Sequence, residues 1–154
     1  MARPVKERTV SNPPLFTEFK PIGVSNRYLE EVQLTLDEYE AFRLSDYEGL
    51  SQEEAAEEME ISRPTFARMI ERARKKISEM IVNGKLLTIN GGNIHFRKNI
   101  IKCNNCGYMF ITNFNTTFDK CPECGSTTLI NLAGGFGHGR CCAQKIYKKG
   151  GING

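Results

Sequence analysis

LSQEEAAEEMEISRPTFARMIERARKKI, residues 50–77, carries two helices and the turn between them. Ser51 and Glu54 have capping-box spacing, in which the hydroxyl accepts an orphan helix N–H and the carboxylate reaches back. Ala55, Ala56 and Met59 then fall on one face of a short helix. Ser62 caps the next helix, with Ile61 and Phe66 placed as a hydrophobic staple. Pro64 lies in the first turn, where its missing N–H has no partner to lose. From there Phe66, Met69, Ile70, Ala73, Ile77, Met80 and Ile81 recur as one apolar stripe, opposite Thr65, Arg68, Arg72, Lys75 and Lys76. Asn83-Gly84 ends the helix. Small residues where two helices approach, apolar anchors on both, and the tight turn Glu60-Ile61-Ser62 are what a helix-turn-helix requires. Glu60 stands where glycine commonly turns the chain, and a positive φ there costs glutamate roughly 1 kcal/mol relative to glycine.

A third helix precedes these two. Thr35 and Glu38 form another capping box, Leu36, Tyr39, Phe42 or Arg43, and Tyr47 follow at helical spacing, and Gly49 supplies the stop. The charges are unevenly divided. Glu30 to Glu60 holds twelve acidic residues and the single base Arg43, whereas Ser62 to Lys85 holds seven bases against Glu71 and Glu79. A polyanion is repelled by the first stretch and attracted to the second. Arg63, Thr65 and Arg68, at the start of the last helix, suit base edges and phosphates, and Arg72 and Lys75 suit backbone phosphates. Double-stranded DNA is the expected partner. The acidic side, with Glu30, Glu38, Glu53, Glu57 and Glu58, supports a competing reading as an adaptor that docks a protein such as RNA polymerase. A homodimer is a further expectation, because one reading head of this size gives little specificity.

Residues 50–77 look like the fourth region of bacterial sigma factors. More closely, Ala2-Arg3-Pro4, FKPIGV at 19–24, the whole of 34–77 and NGKLLTINGG at 83–92 resemble a prokaryotic family of sigma-like helix-turn-helix proteins, one of the uncharacterised UPF or domain-of-unknown-function families. The resemblance spans residues 2–92 and implies DNA binding and transcriptional regulation. Some relatives continue into a domain resembling dinitrogenase iron–molybdenum cofactor biosynthesis proteins, where this chain has a cysteine-rich segment.

That segment holds Cys103-x-x-Cys106-Gly107 and Cys121-Pro122-x-Cys124-Gly125. Two such knuckles present four thiolates for tetrahedral coordination, the arithmetic of a zinc ribbon, and glycine after each pair lets backbone N–H groups turn toward sulfur. Zinc, one ion per chain, is favoured over the alternative, iron, because rubredoxin spaces similar knuckles much farther apart. With all four positions filled by protein the ion is structural. GYMFITNF and TTFDK are predicted as the arms of a hairpin, flanked by short strands at 100–102 and 127–132. KLLTIN and NIHFRK around Gly91-Gly92 predict another hairpin, joining the modules. His138, Cys141 and Cys142 are candidates for a second metal or redox site, which would make a metal- or redox-responsive sensor, in a tail expected to be flexible for its glycines.

The composition, 40% hydrophobic and 25% charged over 154 residues, is that of a globular protein. No apolar run reaches the roughly 18 residues of a membrane span and the start lacks a signal core, so the expected location is the cytoplasm, where paired cysteines bind metal in preference to forming disulfides. No nucleophile–base pair or open metal position stands out, so an enzyme is not expected. The predicted fold is α+β in two small modules: a helix-turn-helix domain over 1–84, a hairpin connector over 85–99, a zinc ribbon over 100–133 and a glycine-rich tail over 134–154.

Overall fold

The computed structural model describes residues 8–114 and 118–136. In chain order it runs β1 (Arg8–Val10), β2 (Glu18–Phe19), a 3-10 turn (Asn26–Tyr28), β3 (Glu31–Leu34), α1 (Leu36–Phe42), a π-helical turn (Arg43–Tyr47), α2 (Gln52–Glu58) and α3 (Arg63–Asn83). Then follow β4 (Leu86–Ile89), β5 (Ile94–Phe96), β6 (Asn99–Cys103), β7 (Met109–Thr112), β8 (Leu129–Asn131) and α4 (Leu132–Gly135). The chain is mixed α+β and divides into two compact units, Met1–Val10 with Phe16–Ile94, and Ser11–Leu15 with His95–Gly154.

In the first unit the helices start at their predicted caps. Thr35 Oγ1 accepts the Glu38 N–H at 3.4 Å while Glu38 Oε1 accepts the Thr35 N–H at 3.0 Å, and Ser51 and Glu54 repeat the exchange at 3.1 and 3.0 Å. Ser62 Oγ accepts the Thr65 N–H at 3.3 Å, and Gly84, left-handed at φ 65°, closes α3. Between these ends, Ala41, Leu44, Ala55, Ala56, Met59, Phe66, Met69 and Ile70 form the buried core, with Phe42, Leu50 and Ile61 packed against it. Each large side chain here contributes roughly 1.5–3 kcal/mol of burial.

Two expectations for the helices are corrected. Tyr47 does not join the first stripe and is 81% exposed. The π turn, closed by the Glu48 N–H on the Arg43 carbonyl at 2.8 Å, inserts one residue into the helical phase and brings Leu44 inward instead. Ile81 is also exposed, as is Val82. At 1.5 Å per residue α3 is about 31 Å long, and it outruns its seven-residue partners α1 and α2.

The hairpin predicted over 85–99 is not formed. β4 is the centre of a three-stranded sheet, antiparallel to β2 (Glu18 opposite Thr88) and parallel to β3 (Glu31 opposite Leu86 through Leu34 opposite Ile89). All four of its residues are buried, which a two-stranded hairpin with one wet face does not provide. The stretch therefore belongs with the helices. Gly91 and Gly92, at φ 75° and 102°, take the chain across the start of α1, where the Gly91 carbonyl accepts the Leu36 N–H at 3.0 Å. A Cβ on Gly92 would lie 2.9 Å from Asp37 Oδ1. β1 braces the far side: the Thr9 N–H donates to the Met59 carbonyl at 3.1 Å, and the Thr9 hydroxyl donates to Glu60.

In the second unit β6 lies between β7 and β8, antiparallel to both. Of the expected TTFDK arm, the described residues Phe118–Lys120 form no strand, and Phe118 instead sets its ring edge-on to Phe110 at 4.8 Å. The tail predicted from residue 134 begins in order. Asn131 Oδ1 caps α4 through the Gly134 N–H at 2.9 Å, and Asn99 Oδ1 takes the Ala133 N–H at 2.9 Å, which buries Ala133 completely. Among the described residues no helix is long and apolar enough to cross a membrane.

Candidate metal centre and basic helix face

The two cysteine knuckles have the same local geometry. The Gly107 N–H reaches the Cys103 carbonyl at 2.9 Å and the Cys103 N–H the Tyr108 carbonyl at 2.8 Å. Gly125, Cys121 and Ser126 repeat this at 2.9 and 2.8 Å. Each turn needs a positive φ at its glycine, 81° and 76°. The sulfurs converge. Cys103 Sγ lies 3.6 Å from Cys124 Sγ, Cys106 Sγ lies 3.7 Å from Cys121 Sγ, and all four lie within 4.8 Å of one another. A tetrahedron of thiolates about 2.3 Å from a central ion has edges near 3.8 Å, so the spacing suits a thiophilic tetrahedral ion, zinc or iron alike. It is too long for a disulfide, and the four are free cysteines. Cys103 and Cys121 are buried, Cys106 and Cys124 exposed.

Fixed N–H groups point at the sulfurs. The Glu123 N–H lies 3.4 Å from Cys121 Sγ and the Asn105 amide 3.5 Å from Cys124 Sγ. That amide, then the Ser126 backbone, pulls the Cys124 thiol down to about 6. At Cys106 the Tyr108 backbone favours the thiolate, but partial desolvation and the three neighbouring thiols outweigh it and push the group up to about 12. Four sulfurs this close cannot all ionise without a cation among them, and a metal ion supplies that charge. These four residues can hold one. His138, Cys141 and Cys142 lie outside the described residues.

The five residues expected to meet DNA all lie on α3, in unequal settings. Arg63 is exposed, with one guanidinium nitrogen 3.6 Å from Glu53 Oε1. Thr65 is half-buried and its hydroxyl accepts a hydrogen bond from Ser62 at 2.8 Å. Arg68 and Lys75 are exposed and have no ion-pair partner among the described residues. Arg72 reaches back to Glu38 Oε2 at 3.4 Å. A groove of about 520 Å³ runs along this face, lined by Arg68, Glu71, Arg72, Lys75, Lys76 and Glu79.

Glu38 itself is only 4% exposed in its side chain, so it leaves the acidic docking face on which the sequence placed it. Besides Arg72 it takes Lys76 Nζ at 2.6 Å on Oε1. Burial raises the pKa of its carboxyl, but Lys76 and the Thr35 N–H more than reverse this and hold it below the ordinary carboxylate range. On the other flank Arg74 makes a forked pair with Asp46 at 2.8 and 3.0 Å and touches Ser45 at 3.3 Å, which holds the Asp46 carboxyl low as well. Sequence reasoning missed these acids as partners of α3. The only signal was the acidic stretch lying beside a basic one.

Residues 1–97 match the family described as "Protein of unknown function DUF134". The chain is 44% identical over 143 residues to the UPF0251 protein of Chloroherpeton thalassium, covering 91% of this chain and 95% of that protein. It is 46% identical over 128 residues to the UPF0251 protein of Halothermothrix orenii, covering 80% and 95%. With the UPF0251 protein of Moorella thermoacetica it shares 44% over 150 residues, covering 97% and 99%. Similarity on that scale runs through the cysteine segment, beyond the 2–92 stretch that carries the resemblance by motif. No solved structure matches the chain. The family model takes in well over half of the molecule and the relatives nearly all of it, so the chain belongs to the DUF134, or UPF0251, family.

Proposed function

We propose that this protein binds double-stranded DNA through α2, the following turn and α3, used as a sigma-region-4-like helix-turn-helix, and that it regulates transcription. The observation that carries the reading is the exposed pair Arg68 and Lys75 on a helix whose opposite face is fixed by Phe66, Met69, Ile70 and Ala73 in the core. Ala55 and Ala56 let α2 lie close against α3, so the start of α3 stands clear for a major groove. Arg63 and Arg68 have the forked donors that read guanine edges, and Lys75, farther along, suits a phosphate. The four cysteines hold one structural zinc. With every position filled by protein thiolate, no place is left for an activated water, so the ion stabilises and does not catalyse.

Titration of genomic DNA fragments with the metal-loaded protein tests the reading. Affinity should fall linearly with the logarithm of salt, and absence of salt-sensitive binding at about 50 mM salt would sink it. Arg63→Ala or Arg68→Ala should each cost ~1–3 kcal/mol at a preferred site and relax base choice there.

The exposed carboxylates Glu53, Glu57 and Glu58 on α2 support a second reading, an adaptor for a basic protein surface such as one on RNA polymerase. Pull-down after nuclease treatment separates the two, because partners bridged only by DNA disappear.

A further inference from the structure

The bases of α3 are not one continuous field. At 100° per residue, Arg68 and Lys75 lie about 20° apart on the outer face, while Lys76 stands roughly 80° to one side of Arg68 and Arg74 roughly 120° to the other. Those flanking cations are held. Lys76 meets a nearly buried Glu38 carboxylate at 2.6 Å, and Glu38 is itself fixed by its bond from the Thr35 N–H at 3.0 Å. Arg74 meets Asp46 through two nitrogens, and Asp46 sits on the π turn, which brings Ser45 to the same guanidinium. We infer that Glu38 and Asp46 are positioning residues that keep Lys76 and Arg74 out of the DNA footprint, so that phosphate contact along α3 rests on Lys75 and not on its neighbours.

The inference rests on the DNA-binding reading. Its physical basis is a difference in cost. A surface lysine moves to a phosphate while losing little, whereas moving Lys76 leaves a buried carboxylate without its closest cation, which is far more expensive than an exposed pair is worth. Arg72, 54% exposed and 3.4 Å from the same carboxylate, is held less firmly than Lys76. The acidic stretch thus becomes the internal counter-charge of the reading helix. Adjacent lysines of equal formal charge acquire different roles, Lys75 toward the ligand and Lys76 toward the fold.

The test compares Lys75→Ala, Lys76→Ala and Arg74→Ala in the full chain by salt-dependent DNA binding and by thermal unfolding. Lys75→Ala should flatten the slope of log affinity against log salt by about one unit and leave the melting temperature unchanged. Lys76→Ala should leave the slope unchanged and lower the melting temperature by a few degrees, and Arg74→Ala should leave the slope unchanged with a smaller change in melting temperature, because its pair with Asp46 is exposed. If Lys76→Ala flattens the slope as much as Lys75→Ala and melts like the wild type, the inference is overturned while the DNA reading stands. If the wild type shows no salt-dependent binding, the DNA reading fails and the footprint fails with it.

Discussion

Glu38 connects the start of α1 to the side of α3 through a single carboxylate, which makes it the most informative position for a charge-removing substitution. Glu38→Gln keeps an oxygen for the capping box but leaves Lys76 facing an uncharged amide, and should cost about 1–2 kcal/mol at neutral pH. Because the folded-state pKa lies below its ordinary 4.5, the carboxylate stabilises above that value, and the stabilisation is lost as pH falls through the folded value. Urea unfolding of wild type and variant should differ at pH 7 and converge in acid well below pH 4.5. The cysteines give a second expectation. Cys103→Ser or Cys121→Ser should abolish tight binding of one metal equivalent, measured by elemental analysis, whereas Cys141→Ser and Cys142→Ser should retain it. Retention by Cys103→Ser with loss in Cys141→Ser would show that the ligands are wrongly assigned. The two sites differ in how far they could be read beforehand. Ligands three residues apart, each pair followed by glycine, are visible in the string itself, whereas Glu38 and Lys76 are 38 residues apart and meet only after the helices pack.

The turn between α2 and α3 turns the chain with a side chain where glycine would be cheaper. Glu60, at φ 58°, is the only non-glycine residue with positive φ among those described, and its carboxylate takes the Thr9 hydroxyl. The backbone penalty, about 1 kcal/mol, and the net worth of one such hydrogen bond are of similar size and opposite sign. Glu60→Gly should therefore be more favourable in a Thr9→Ala background, where that bond is already gone, than in the wild type. A double-mutant cycle by chemical unfolding measures this coupling directly. Helix starts were legible because a cap is a local event, a hydroxyl and a carboxylate three residues apart. The π turn was not, since one inserted residue leaves no mark in composition and only shifts which of Leu44 and Tyr47 points inward. Nor was the place of β4. Leu86, Leu87, Thr88 and Ile89 beside two glycines favour a local hairpin by pattern, and only the presence of β2 and β3 on either side supplies the burial those residues take.

At the scale of the molecule, the two compact units have different sources of stability. The first has the Phe66–Met69–Ile70 core and its caps. The second has a short three-stranded sheet whose ends meet in four converging thiols, too little surface to offset its chain entropy without an ion. A strong chelator should therefore erase the β-sheet signal of 99–136 in far-UV circular dichroism and leave the helical signal and its cooperative melt intact. Loss of both together would show that the helices also depend on the metal. The first unit's sheet carries a different consequence, one for rates. Glu31 pairs with Leu86 in parallel, so α1, α2 and α3 are all contained in the connection between two adjacent strands. Closing a loop of roughly 50 residues costs about 3.5 kcal/mol before any strand contact repays it. The sheet is therefore the last part of the unit to assemble, once the helices have shortened the span. Leu87→Ala should speed unfolding and scarcely slow refolding, while Met69→Ala slows refolding, and stopped-flow chevrons distinguish the two. The strands thus act as a late clasp on a domain already folded around its helices, and their contacts govern how long the native state lasts more than how quickly it is reached.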